Sequence, residues 1–530
     1  MFEANYKLLK TIIDDNKNTE YGKKYNFSEI KTIDEYRNKV PLTNYDDYVE
    51  YIKRMYDGEK NILTSYPIIC YLYTSGSLSY CQKKIPCSIK ALQNLGNKPF
   101  ILRNKLIRKN KNNKFYNILH IGNYHIDIKK EVQKTLLLSE ICYYYVYKEK
   151  IEDFNNYFGG ADLIFDIHTF DYLYEKIWIS ILVENIQIID SPYMFSILQF
   201  FIEFEKSYKD IISDIRKRKI NPEKKLSEKA EKYLLDLPVS EERLLYVETE
   251  CQKGFEGIAS RLWKDLQLII GIRSKAFIYE NENLDKYIKN IPKSGYLYAM
   301  CESFIGFASE INSYNYLIDP TFSFYEFLPY NENNENMGNG KTLLINEVES
   351  GKYYELVITT LSGFYRYKTG DIIKIIKNNE KELSLEYSFR KNLSINIKAE
   401  KTTIIHIEIT MKKINEIIPN ISGFLMGATI YNNTATYFLI LFLENKSLKV
   451  SLKELEKKLD YFLGEANINY KHYRELNILG PSKIIIKNKE EFNEIQNKIK
   501  HKKSHNKQKY IISEEALIKI LKKEGYINSE

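Results

Sequence analysis

Thr74-Ser75-Gly76-Ser77-Leu78-Ser79-Tyr80-Cys81-Gln82-Lys83 is a small, hydroxyl-rich run that ends in a lysine. The backbone N–H groups and hydroxyls of such a loop can close around a phosphate, and the lysine adds a point charge. Further on, Tyr298-Ala299-Met300-Cys301-Glu302 sets an aromatic and an acid at the end of an apolar run. Phe364-Tyr365-Arg366-Tyr367-Lys368-Thr369-Gly370-Asp371 ends on a glycine turn and a carboxylate, and Phe389-Arg390-Lys391-Asn392 supplies a guanidinium. In order these are the parts that a nucleotide needs. A loop takes phosphates, an aromatic face lies beside a metal-capable acid, a carboxylate accepts from ribose hydroxyls, and an arginine donates to phosphate or ribose oxygens. Each stretch taken singly suits a plain role better: a polar turn, or a strand end with a solvated charge.

These stretches need a frame to bring them together. The apolar run 67–73 before the first loop reads as a buried strand, and Ser88 is placed to cap a helix from Ile89. Upstream, Leu8, Leu9, Ile12 and Ile13 make one helical face, and Thr32-Ile33-Asp34-Glu35 has capping-box spacing. Thr43 is a second cap candidate, with Pro41 separating the two helices. Residues 115–121 and 161–167 read as short strands and 172–220 as largely helical. A helix is expected from Glu241 through Phe255 to Trp263, then a strand at 266–270 stopped by Gly271. Strands follow at 295–300, 324–328, 342–348 and 354–360, the last two flanking a Ser350-Gly351 turn. The final third reads as a helix within 398–418, a hairpin of 424–430 and 436–443 about Asn432-Asn433, helices at 452–463 and 490–499, and a strand at 483–486.

The fold class expected is α/β: a large mixed N-terminal domain with a β-rich middle section over 1–393, and a smaller α+β C-terminal domain over 394–530. With 530 residues and 44% apolar content the chain has ample material for a core. The net charge of +8 is modest for this length and comes with no nucleic-acid motif; it helps with small anionic substrates and does not require nucleic acid. Six scattered cysteines lack the paired spacing of a zinc site or a disulfide scaffold, which suits a reducing cytoplasm. His120, His125 and His168 do not share metal-ligand spacing and read as core or surface histidines. The start of the chain lacks the pattern of a signal peptide, and the most apolar segments are short and carry Glu184 and Glu203, so no membrane span is expected.

Taken as an ordered set, the motifs resemble those of the Gretchen Hagen acyl acid amido synthetases, a branch of the adenylate-forming superfamily that includes firefly luciferase. Supporting stretches run along nearly the whole chain. They include Val40-Pro41-Leu42-Thr43, Gly58-Glu59-Lys60-Asn61, Tyr325-Glu326-Phe327-Leu328-Pro329, Gly351-Lys352-Tyr353-Tyr354-Glu355, and Tyr365-Arg366-Tyr367 before Gly370-Asp371. The resemblance implies an ATP- and Mg²⁺-dependent ligase. A carboxylic acid would attack the α-phosphate of ATP to give an acyl adenylate, and an amino acid would then displace AMP to form an amide. It implies that Thr74, Ser75, Gly76, Ser77 and Lys83 hold the ATP phosphates and that Tyr298 lies by the adenine. Cys301 stands next to Glu302, which would face Mg²⁺; Asp371 would take the ribose hydroxyls and Arg390 would contact the nucleotide at a hinge. A lysine of the C-terminal domain would reach the reacting phosphate, with Lys507 and Lys509 as the candidates. The implied partners are small carboxylic and amino acids, with no nucleic acid, membrane or obligate protein partner.

The chain departs from the family pattern near the nucleotide. Ser79 and Tyr80 stand where glycines belong, which reshapes a loop that needs close backbone approach to phosphate. Met300-Cys301 replaces hydroxyl-bearing residues, and Ile272-Arg273 replaces small ones after Gly271. Two alternatives therefore accompany the amide-forming ligase: a coenzyme A thioester ligase, and a non-catalytic homologue that binds nucleotide or acyl acid.

Overall fold

The computed structural model describes residues 1–73, 83–96, 98, 117–122, 124, 135–136, 157–273, 278–330 and 341–391. It also describes most of 394–444, then 450–491, 511–512 and 514–527. The chain is a mixed α/β protein. Among the described residues its centre is a seven-stranded antiparallel sheet in the order Ser323–Tyr330, Tyr353–Thr360, Tyr367–Asn378, Leu383–Arg390, Asn315–Ile318, Ser303–Ala308, Leu297–Met300. Beside it stands a parallel sheet of Ile118–His120, Ile188–Tyr193, Leu268–Ile272 and Lys293–Ser294. The helices Tyr172–Leu182, Met194–Arg216 and Glu241–Gln252 belong to this parallel part, and they bury an aromatic core around Trp178, Phe201, Phe204 and Trp263. A third sheet, Ile421–Tyr431, Thr434–Leu443 and Lys483–Asn488, shares a core with the helices Ile404–Ile417 and Leu452–Ala466. No described helix is long and apolar enough to cross a membrane.

Local chemistry explains much of this. The Ile33–Lys39 helix starts at a capping box, with the Thr32 side chain accepting from Glu35 N–H and the Glu35 carboxylate accepting from Thr32 N–H. Ser88 caps Ile89–Leu95 by accepting from Ala91 N–H. The hairpin around Asn432 and Asn433 turns with both residues at positive φ, 47° and 62°, the pattern of a tight turn that matches strand twist.

Several expectations are corrected. Residues 161–167 are not a strand: Gly160–Ile164 is a short helix entered through Gly159 in the left-handed conformation. The helical stretch 172–220 contains a strand, Ile188–Tyr193, whose apolar residues are buried on both faces and so show no alternation. The expected helix from Glu241 to Trp263 breaks into Glu241–Gln252 and Ile258–Leu262, because Gly254 and Gly257 take positive φ. Leu268–Ile272 runs through Gly271 instead of stopping there. Residues 342–348 form turns with a single bridge from Leu343 to Phe327, and Tyr353–Thr360 pairs instead with Ser323–Tyr330. Thr43 is no helix cap; Asn44 plays that part, while the Thr43 hydroxyl donates to the Tyr365 carbonyl. His120, by contrast, is a core histidine, its Nδ1 2.7 Å from Asp190 on the neighbouring strand. The helix expected at 490–499 and the boundary residue Leu393 lie almost wholly outside the described residues.

Candidate active site

The Tyr367–Asn378 strand carries the centre of the site, and its first residues are irregular for a reason. Leu356 on the neighbouring strand faces three residues, Thr369, Gly370 and Asp371, between the paired positions Val357–Lys368 and Glu355–Ile372. Such a bulge re-aims a side chain, and Gly370 takes the left-handed conformation it needs at φ 75°. Thr369 closes the bulge: its hydroxyl donates to the Leu356 carbonyl at 2.7 Å and accepts from Asp371 N–H at 3.1 Å. The sequence-based expectation put Asp371 at the end of a strand. Instead the strand begins at Tyr367 and continues past Asp371 to Asn378.

Asp371 is buried and faces two of the predicted residues. The Tyr298 hydroxyl donates to its Oδ2 at 2.9 Å, and Arg390 Nε lies 3.5 Å from its Oδ1. Arg390 is directly opposite Asp371 in the strand register and also donates to the Thr369 carbonyl at 3.1 Å. Asp371, with Glu302 adding to it, holds the guanidinium above its usual pKa, so it is a cation at every working pH. Burial, and then the Asp371 charge, push the Tyr298 phenol well above its usual range. It therefore stays protonated and donates. The Tyr298 ring lies edge-on to Tyr387 with centroids 5.9 Å apart.

Glu302 sits in the turn between Leu297–Met300 and Ser303–Ala308 and is buried. Its Oε1 accepts from the Tyr367 hydroxyl at 3.0 Å. Burial and the Glu302 charge raise the Tyr367 phenol in the same way. Glu302 also lines a recess with Cys301, Met300, Thr360 and Ser362. Cys301 is partly exposed and not in a disulfide. Lys83 lies just before the Lys84–Ser88 strand, with its Nζ 4.6 Å from the centre of the Tyr45 ring. Tyr45 in turn feels the Glu302 charge, which adds to burial in raising its pKa. Thr74, Ser75, Gly76, Ser77, Lys507 and Lys509 lie outside the described residues.

Tyr298, Glu302, Asp371 and Arg390 are thus drawn into one neighbourhood by the central sheet, with Cys301 beside Glu302 and Lys83 linked to it through Tyr45. Tyr367 and Thr369 were not among the predicted site residues, although both belong to the quoted motif. Their partners are 65 and 13 residues away, which spacing does not reveal.

Three domain models of one family match the chain in order: the GH3 family N-terminal domain over residues 2–293, the central domain over 316–390 and the C-terminal domain over 403–515. The indole-3-acetic acid-amido synthetase GH3.17 of Arabidopsis thaliana is 24% identical over 510 residues, covering 86% of this chain and 82% of the relative. The jasmonoyl–L-amino acid synthetase GH3.5 of Oryza sativa subsp. japonica is 23% identical, covering 92% of this chain and 87% of the relative. Among solved structures, the AtGH3.15 acyl acid amido synthetase in complex with 2,4-DB superposes with a TM-score of 0.80 at 20% identity, over 99% of this chain and 94% of that one. That likeness establishes the shared fold.

Proposed function

Because this chain belongs to the GH3 family, we propose that it is an ATP-dependent ligase that joins a carboxylic acid to an amino acid through an acyl adenylate. The single observation that best supports the reading is the Tyr298–Asp371–Arg390 constellation, built by a bulge in a strand that the GH3 central domain covers. Asp371 is the ribose acceptor in this reading: it is a buried carboxylate beside Tyr298 and Arg390, and carboxylates accept from hydroxyl donors. Arg390, held by Asp371, is aimed for a nucleotide oxygen.

The residues around Glu302 fit a hard divalent cation. A buried carboxylate with one oxygen bonded to a phenol leaves its second oxygen available, and oxygen donors are what Mg²⁺ takes. When bound with the nucleotide, Mg²⁺ supplies charge neutralisation and Lewis acidity at the phosphates. The chain's own contribution is positional. Thr74, Ser75, Gly76, Ser77 and Lys83 would cradle the phosphates, and Tyr298 would border the adenine. Lys507 or Lys509 would offset the charge that builds at the α-phosphate as the acid attacks it. An acyl adenylate is a far better acyl donor than the free acid, so a neutral amine can then displace AMP. Excluding water at that moment favours the amide over hydrolysis. We assign residues 394–530 to a smaller domain that closes over the site; the core formed by Leu425, Phe438, Ile440, Ile485, Leu517 and Leu521, all within that segment, supports this. The cytoplasm suits the four described cysteines, none of them in a disulfide.

ATP–pyrophosphate exchange against a panel of carboxylic acids tests the proposal, with Asp371→Ala as control. Exchange that needs one acid and vanishes in the variant is the expected result. Binding of nucleotide without exchange for any acid would turn the reading toward a non-catalytic homologue. Release of a thioester only in the presence of coenzyme A would turn it toward the thioester ligase.

A further inference from the structure

We propose that Tyr367 is a positioning residue for the metal-facing acid: its phenol holds Glu302 in the orientation that presents the other carboxylate oxygen to a nucleotide-bound divalent cation. The inference rests on the proposed function and adds a residue to its site. The bond itself is the Tyr367 hydroxyl to Glu302 Oε1 at 3.0 Å, between two buried side chains 65 positions apart in sequence. A free carboxylate rotates about its terminal bond with little cost, and a ligand that must be ordered on binding loses affinity. A phenol that already occupies one oxygen removes that freedom and leaves the second oxygen unspent.

The phenol can do this because its own placement is overdetermined. Thr43 brackets the backbone on both sides, donating N–H to the Arg366 carbonyl at 3.0 Å and accepting from Lys368 N–H at 2.9 Å. Arg366 itself takes φ 45°, a left-handed conformation that costs a non-glycine residue energy. Its guanidinium compensates by binding Glu326 through two nitrogens and donating to the Arg37 and Val40 carbonyls. The Tyr367 ring packs against Phe364 and Tyr48, with centroids 4.9 and 6.3 Å away. The N-terminal segment therefore fixes the ring, and the ring fixes the acid.

Calorimetric titration of the full chain with α,β-methylene-ATP, in MgCl₂ and separately in EDTA, tests this. Tyr367→Phe is expected to cut the Mg²⁺-dependent gain in affinity about 10-fold, as loss of a partner that orients a ligand does, with the metal-free affinity unchanged. Tyr287→Phe is the matched control, since it deletes another phenol–carboxylate bond of a buried tyrosine, to Glu205 at 2.6 Å, in the separate helical core away from the acid. It should move neither value. Tyr367→His returns a ring N–H donor, and its gain should fall between those of phenylalanine and wild type; this variant carries the test if Tyr367→Phe does not fold. An unchanged gain, or an equal loss with and without metal, would overturn the positioning role and leave Tyr367 a structural residue. Wild-type binding that gains nothing from Mg²⁺ would instead overturn the metal-facing reading of Glu302, and the inference with it.

Discussion

Tyr298 and Asp371 make the clearest case for function at the level of one side chain. The phenol spends its proton on a carboxylate that, in the proposed reading, also has to accept from a ribose. Tyr298→Phe keeps the ring and removes only that bond. Loss of a partner that orients a ligand-holding group costs about 10-fold, so KM for ATP should rise by about that factor while KM for the acyl acid stays put, as steady-state kinetics can show. Glu175 illustrates a different residue-scale effect. It is fully buried beside Lys176, and burial raises its pKa despite that neighbour. An acid raised in the folded state stabilises the protein below its unfolded pKa, and that contribution fades as pH climbs through the raised value. Melting temperature should therefore fall from about pH 4.3 upward more steeply in wild type than in Glu175→Gln.

The elements that carry these residues depend on a few expensive positions. The turn before the Tyr367–Asn378 strand is held by Arg366, whose partner Glu326 is almost wholly buried. Truncating Arg366 leaves that carboxylate with Arg37 at 3.3 Å as its remaining guanidinium. Arg366→Ala should cost about 3 kcal/mol, the scale of a broken buried ion pair, read from denaturant unfolding. It should also disturb Tyr367 and so the Mg²⁺ response. In the C-terminal sheet, Asn433 at φ 62° is a sharper probe. Asn433→Val puts a β-branched residue in the left-handed region and should destabilise by about 1 to 2 kcal/mol, whereas Asn433→Gly should be neutral or mildly stabilising. Equal effects of the two would refute the tight-turn explanation.

For the whole molecule, the proposed function predicts that one C-terminal lysine meets the nucleotide on domain closure. The resemblance offers Lys507 and Lys509, and closure of the smaller domain is what would bring either to the phosphate. Substituting the right one should lower pyrophosphate exchange about 100-fold or more, the scale of a lost charge-stabilising donor, with little change in nucleotide affinity. Substituting the other should do little. If neither alanine variant slows exchange, the lysine lies elsewhere and the closing motion must be redrawn.

Residue types and their order were enough to identify the fold class, the family and four residues that the central sheet brings into one neighbourhood: Tyr298, Glu302, Asp371 and Arg390. They suffice because capping boxes, the Asn432-Asn433 turn and a multi-motif order are local or linear properties, written into neighbouring residues. The strand at Ile188–Tyr193 escaped because a strand buried on both faces has no period to read. The strand expected at 342–348 failed because apolar residues and a nearby glycine say nothing of which strand is free to pair. The bulge that aims Asp371, the phenol on Glu302 and the left-handed Arg366 that steadies that phenol were decided only in three dimensions. Each depends on partners brought close by sheet pairing and burial, and a hydrogen bond between residues 65 apart has no trace in their spacing.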